Sequence, residues 1–325
     1  MVDIHYDLLS ICYVCYLKND YSKIEEIVKK IKSNQEDIKC IFTNLYFMSK
    51  EEMKQELHEN YYNPNISVLD MFKISKQILE SYLPNIDFIY SIEGCDYIDI
   101  KELQLLYNEG LRSITLVWNT ENRYGSGNRT NKGITKDGIN FINKAIELGI
   151  GIDLSHANLN TFYGMIEVIK ENQNLGKEVI CYASHSNSKR LCDKERNLAD
   201  EQLRLIKEVN GLVGIFSNRN FITHNYNLSK EKQKIEYLKH IIYISEIIGI
   251  GNVVLATDDM SFCGNIDPEY YETSIFDYSN IVKEKREMLL KCFSLEDSNR
   301  ILYGNAYSKI IDKLNVKNIK KCKNN

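Results

Sequence analysis

The feature that most constrains this chain is a strict alternation of short apolar runs with longer amphipathic stretches. The runs fall at 2–5, 40–47, 88–92, 113–117, 151–155, 179–184, 211–216 and 253–257. Each is too short for a core helix but suits a strand buried on both faces. Between them, stretches such as 21–31, 68–83, 136–148, 159–171, 200–209 and 230–248 repeat their apolar residues at the helical period. Parallel strands need crossover connections, and helices then cover both faces of the sheet. Eight such strands predict an α/β fold, a closed (β/α)8 TIM-like barrel. An open doubly wound sheet usually carries a glycine-rich phosphate loop after its first strand, and VDIHYDLL is followed by none.

At 325 residues the chain fits one barrel domain over 1–312 and a basic tail over 313–325, with five Lys after Asp312. Such tails are usually solvated. Net charge is −4 and the basic residues are scattered, so no nucleic-acid footprint is expected. The nine Cys are odd in number and spread along the chain, unlike a disulfide framework. Cys12 and Cys15 have CxxC spacing, but no second pair or nearby His completes a zinc site. They read as buried thiols on an early helix. The chain's start lacks a basic leader region, and no run reaches the ~18 apolar residues of a membrane span. These features predict a cytoplasmic protein.

A barrel gathers the carboxyl ends of its strands on one face. Three of the six His fall at such ends: His5 in VDIHYD, His156 in GIDLSH and His185 in CYASHS. The other three, His58, His224 and His240, lie in helical or loop stretches. Asp7 stands two residues after His5, Glu93 closes FIYSIEG and Asp258 closes VVLATD. Two irregular connections, 119–133 and 217–228, follow strands and belong at the same end. Imidazole and carboxylate are good ligands for zinc and similar ions. Two ions ~3.5–4 Å apart need a shared anionic bridge, and such a pair acidifies bound water and polarises a carbonyl. Singly, each signal is weak. A lone strand-end His is more often structural, and an Asp after a strand often caps the next helix. The coincidence of six suitable groups favours a metal site.

In order along the chain, these segments resemble those of the membrane (renal) dipeptidases and their bacterial cytosolic relatives. DIHYD resembles a first-strand His-x-Asp pair, and SIEGCD the segment of a bridging Glu. LYNEGLRSITLVWN resembles the next helix and strand. The block 133–197 holds GIDLSHAN and CYASHSNSKRLCDKERNL, with an Arg eleven residues after the second His. VVLATDD resembles the segment of the catalytic Asp, and DSNRILYGNAYSKI the final helix. The resemblance implies a zinc dipeptidase. His5 and Asp7 would bind one Zn2+, His156 and His185 the other, and Glu93 would bridge them. Mn2+ and Co2+ suit the same ligands. Arg196 would pair with a substrate carboxylate, and Asp258 would handle the proton. The implied substrate is a small dipeptide and the implied assembly a homodimer, with neither nucleic acid nor membrane as partner.

Three positions depart from the family pattern. Trp118 stands where known members have a substrate-contacting His, and it serves either as a pocket wall or as core packing. ATDDM replaces a common Asp-Phe-Asp-Gly, and Tyr6 replaces a common Asn. Two alternatives follow. One is another binuclear hydrolase acting on lactones, esters or amides. Those typically carry His-x-His and often a modified Lys bridge, whereas this chain has His-x-Asp and Glu93. The other is a non-catalytic binding relative, which would usually have lost ligands first.

Overall fold

Eight parallel strands run in sequential order around a TIM-like barrel, and every one matches a run expected from the sequence. They are β1 (Val2–Tyr6), β2 (Cys40–Tyr46), β3 (Phe88–Glu93), β4 (Leu111–Thr115), β5 (Gly151–Asp153), β6 (Cys181–Ala183), β7 (Leu212–Phe216) and β8 (Val253–Ala256). The structure, a computed structural model, describes residues 1–47, 66–259 and 274–314. His58 and the tail from 315 onward lie outside the described residues.

Helices α1 (Leu8–Lys18), α2 (Ser22–Lys32), α3 (Val68–Tyr82), α4 (Leu103–Asn108), α5 (Lys136–Glu147), α6 (Leu159–Asn174), α7 (Asp200–Glu208), α8 (Lys230–Ile248), α9 (Ile281–Leu289) and α10 (Leu295–Asn299) surround the strands. Side-chain oxygens of Ser67, Thr135 and Asn158 accept from the backbone three residues on and start α3, α5 and α6. The expected final helix is interrupted by π-helical turns at Arg300–Gly304 and Tyr307–Ile311. Cys12 and Cys15 are buried on α1, and burial pushes both thiols up, away from the reactive thiolate. Among the described residues, no helix is long and apolar enough to cross a membrane.

The strands are apolar on both faces because both are covered. Val2, Ile4, Phe42, Ile89, Tyr182 and Val254 belong to one buried cluster, against which Ala306, Ile310 and Leu314 of the C-terminal segment pack. Ile41, Leu45, Ile92, Ile114, Ile152 and Leu255 belong to the larger cluster beneath the helices. The period of two thus sorts residues between barrel interior and helix layer. At the top of the interior the pattern turns polar. Glu93, Thr115 and Asp153 are partners in register across β3, β4 and β5.

One irregularity positions the site. Asp3 pairs with Ile41 and Tyr6 with Thr43, so β1 carries one extra residue against β2. This bulge breaks the alternation: Ile4 joins the interior cluster, and His5 beside it also reaches inward to Glu93. Strict alternation from Val2 would have aimed His5 at the helices.

A buried carboxylate joins β1 to the end of β8. Asp3 accepts from Thr257 N at 2.9 Å, Thr257 Oγ1 at 2.7 Å and Tyr278 Oη at 3.2 Å, while Asp258 N donates to His5 O at 3.1 Å. Burial raises the pKa of Asp3, and Lys285 on α9 is the cation that opposes this. Lys285 is itself buried and donates to Ala256 O at 3.2 Å. Burial pulls it down to about 8, against the pull of Asp3. Removing one charge of such a set strands the other. Lys285→Met should therefore lower stability in urea unfolding by about 3 kcal/mol. Adding Asp3→Asn should recover much of that loss, and a strictly additive double mutant would show the two charges to be uncoupled.

Candidate metal centre

Each charged or imidazole group expected at a strand end reaches the same interior site. His5 lies within β1 and Asp7 just past it, Glu93 ends β3, and His156, His185 and Asp258 follow β5, β6 and β8. Glu93 is at the centre. Its Oε1 stands 2.6 Å from His156 Nε2 and 3.9 Å from His185 Nε2, and its Oε2 stands 3.1 Å from His5 Nε2. His5 Nε2 is also 3.7 Å from Asp7 Oδ1 and 3.8 Å from Asp258 Oδ1. The two remaining imidazoles meet with their Nε2 atoms 2.9 Å apart.

Asp7 occupies the N-cap position of α1 yet makes no side-chain cap bond, so the capping explanation does not apply to it. His156 and Asp258 have φ of +66° and +46°. That left-handed conformation is strained for residues with a side chain, costing about 1–2 kcal/mol. Two of the four non-glycine residues with positive φ among the described residues are therefore in this cluster.

The charges are unevenly shared. Burial pulls His5 down, but Glu93, Asp7 and Asp258 together outweigh it and hold the imidazole at about 10. Burial and the nearby Arg196 guanidinium lower His156 to about 4. Burial and His5 push His185 well below its ordinary value. Burial alone would raise Glu93, but His5 and His156 overcome it and keep the carboxylate ionised. Burial lifts Asp7 well above the usual range. Asp258 is raised to about 6 by burial, with His5 opposing.

Around this centre stand residues that the sequence motifs did not single out. Asn119 Oδ1 lies 3.0 Å from His156 Nδ1, Ser184 Oγ 2.7 Å from His185 Nδ1, and Asn44 Nδ2 3.1 Å from His5 Nδ1. Asn119 opens the irregular loop after β4, and Asn44 sits inside β2. Arg196 is 9% exposed and donates to His185 O at 3.4 Å, which excludes a surface ion pair. Trp118 is half-buried, its ring 4.9 Å from that of Tyr46 and 6.0 Å from that of His156. His240 is a structural histidine: its Nδ1 accepts from Ser188 N and its Nε2 faces Ile222 O.

The donor set fits divalent metal. His5, Glu93 and His185 form one group whose ligand atoms lie within 4.8 Å of one another, and His5, Asp7 and Asp258 form another. His5 Nε2 and Asp7 Oδ1 are buried without a hydrogen-bond partner; the nearby Glu93 oxygen is not aligned for one. With the amide oxygen of Asn119 taking the Nδ1 proton of His156, its Nε2 lone pair meets Glu93 Oε1 head-on at 2.6 Å. Acceptors converging without a proton between them need a cation.

A family model for membrane dipeptidases (Peptidase family M19) matches residues 55–304. A Klebsiella pneumoniae protein encoded in the pqqA 5' region is 32% identical over 177 residues, 51% of this chain and 62% of that protein. An uncharacterized dipeptidase of Schizosaccharomyces pombe is 27% identical over 198 residues, 58% of this chain and 44% of its own length. The chain thus spans about half the length of the curated relatives it matches. Among solved structures, a metallo peptidase of Rhodobacter sphaeroides, liganded with a phosphinate mimic of the dipeptide L-Ala-D-Ala, superposes with a TM-score of 0.71 at 19% identity, covering 95% of this chain and 98% of that one. A metallo peptidase of family M19 gives 0.71 at 19% identity over 97% and 98%. Both share the fold.

His5 holds its proton up to about pH 10 in the metal-free protein, so an ion binding there displaces it. Zinc titrated calorimetrically at about pH 7.5 into metal-free protein, in two buffers of different ionisation enthalpy, should release at least one proton per chain. Apparent affinity should rise with pH until His5 loses its proton unaided, near pH 10. Equal heats in the two buffers would argue against ligation by His5.

Proposed function

This chain belongs to the membrane dipeptidase family, Peptidase family M19, and from that premise we propose that it hydrolyses dipeptides to free amino acids at a site holding two divalent metal ions, zinc foremost. The observation that carries the reading is the position of Glu93. Its two oxygens address different histidines, one His5 and the other His156. In this reading His5 and Asp7 would hold one ion, His156 and His185 the other, and Glu93 would serve both. When bound, the ions supply a water of lowered pKa and polarise the scissile carbonyl.

The rest of the work falls to this chain's own side chains. Arg196 offers a planar fork to the substrate carboxylate, and its burial keeps that charge unscreened. Asp258, held beside His5, takes a proton and returns it to the leaving amine. Trp118 and Tyr46 form an aromatic wall beside His156. Indole can donate one hydrogen bond but cannot carry a proton, so Trp118 shapes the pocket and leaves acid–base work to Asp258.

Purified protein should split simple dipeptides such as L-Ala-L-Ala or L-Ala-D-Ala, lose that turnover in a strong chelator and regain it with zinc. Asp258→Asn should keep about two metals per chain while kcat falls by about 10²–10⁴-fold. Glu93→Ala should lose both metal and turnover. A fully metal-loaded protein inert towards every dipeptide, yet active on lactones or phosphate esters, would reverse the assignment.

A further inference from the structure

Asp153 ends β5, is buried, and belongs to neither group of candidate metal ligands. Its acceptor capacity is filled. Oδ1 accepts from the backbone N–H of Ser155 at 3.0 Å and of Ser184 at 2.9 Å. Oδ2 accepts from Thr115 Oγ1 at 2.8 Å and from Ser184 Oγ at 2.5 Å. A carboxylate has about four lone-pair sites, and four donors occupy them here. Backbone amides can only donate, so Oδ1 is fixed as the doubly accepting oxygen. An ionised Oδ2 then requires both hydroxyls to donate.

A serine hydroxyl has one proton. Once Ser184 gives it to Asp153, Ser184 Oγ can only accept from its other neighbours. The nearest is His185 Nδ1 at 2.7 Å, so that nitrogen must carry the hydrogen. We propose that Asp153 is a positioning residue that acts through Ser184 to hold His185 in its Nδ1–H tautomer, leaving Nε2 as the ring atom able to bind metal. Nε2 is the atom turned towards His156 Nε2 and Glu93 Oε1. At His5 the outcome is not fixed in the same way. Ser184 Oγ and Asn44 Nδ2 both stand 3.1 Å from its Nδ1. The inference rests on His185 being a metal ligand, as read above.

Asp153→Asn tests the polarity of the chain of bonds. The two backbone amides hold the Asn oxygen where Oδ1 was, which turns its NH2 towards Thr115 and Ser184. Ser184 would then accept from the amide and donate its proton to His185 Nδ1, inverting the tautomer. Ser184→Ala removes the link, and Ser184→Thr retains it. Zinc affinity is measured by competition with a chromophoric chelator. Histidine tautomers are read from 15N shifts of the metal-free, 15N-histidine-labelled protein. Asp153→Asn and Ser184→Ala should each bind zinc about 10- to 100-fold more weakly, and Ser184→Thr should return to within a few-fold of the original. The His185 signals should change from Nδ1–H to Nε2–H in Asp153→Asn. If Asp153→Asn does not fold, Ser184→Ala and Ser184→Thr carry the affinity test. A His185→Gln protein that loses zinc affinity while Ser184→Ala keeps it, or an unchanged tautomer in Asp153→Asn, overturns the inference. A His185→Gln protein that binds zinc normally would instead overturn the reading of His185 as a ligand.

Discussion

A carboxylate kept inside a barrel must be surrounded by donors, because an unpaired buried charge costs more than a small domain's whole stability. Two such carboxylates organise the upper end of this one. Asp3 ties the start of the chain to Thr257 and Tyr278, and so fixes the seam between β1 and the segment after β8. Asp153 gathers Thr115, Ser155 and Ser184, from the ends of β4, β5 and β6. Between them they hold the segments that carry His5, His156, His185 and Asp258. The cluster is assembled from distant parts of the sequence, and these bonds set where its members stop.

Inside that frame the charges are unevenly shared. Three carboxylates, Asp7, Glu93 and Asp258, surround His5, and the other two imidazoles are neutral. Arg196 lies close enough to depress His156, yet it donates to a backbone carbonyl, that of His185. The carboxylates around His5, Glu93 first, are what hold its proton. Under the proposed function, divalent ions would satisfy the same carboxylates more completely, because the Nε2 atoms of His5, His156 and His185 would serve them as well. Proton and metal thus compete for one place.

Much of this was legible in the sequence. Parallel strands covered on both faces read as plain apolar runs, so all eight were found. The rule that strand ends converge then drew the three His and three acids to one face. Arg196 sits in an irregular loop with no periodic signal, and only the resemblance pointed to it. The bulge in β1 was invisible, since alternation counted from Val2 sends His5 to the wrong side. The family match begins at residue 55, so His5 and Asp7 lie outside it, and the fold is what brings them to Glu93. Asp3 and Asp153 do carry a signal in the sequence. A charged residue inside a four- or five-residue apolar run has no choice but to be bonded.

Trp118 shows how the two ends of the pocket divide their tasks. Its ring leans between Tyr46 and His156, and the Arg129 guanidinium stands 6.0 Å above it. Under the proposed function, the metal end of the pocket is fixed by hydrogen bonds whose donors and acceptors can be counted. Its geometry therefore tolerates little change. The aromatic end is fixed by packing, which accepts other side chains of similar volume. An indole there contributes area and shape and no ionisable group. Variation in substrate among proteins with this ligand set is then expected to reside in the β4 loop and β2, where Trp118 and Tyr46 meet, while the layer of Glu93, Thr115 and Asp153 stays the same, because a change there would leave a buried carboxylate or a metal-binding imidazole without its partner.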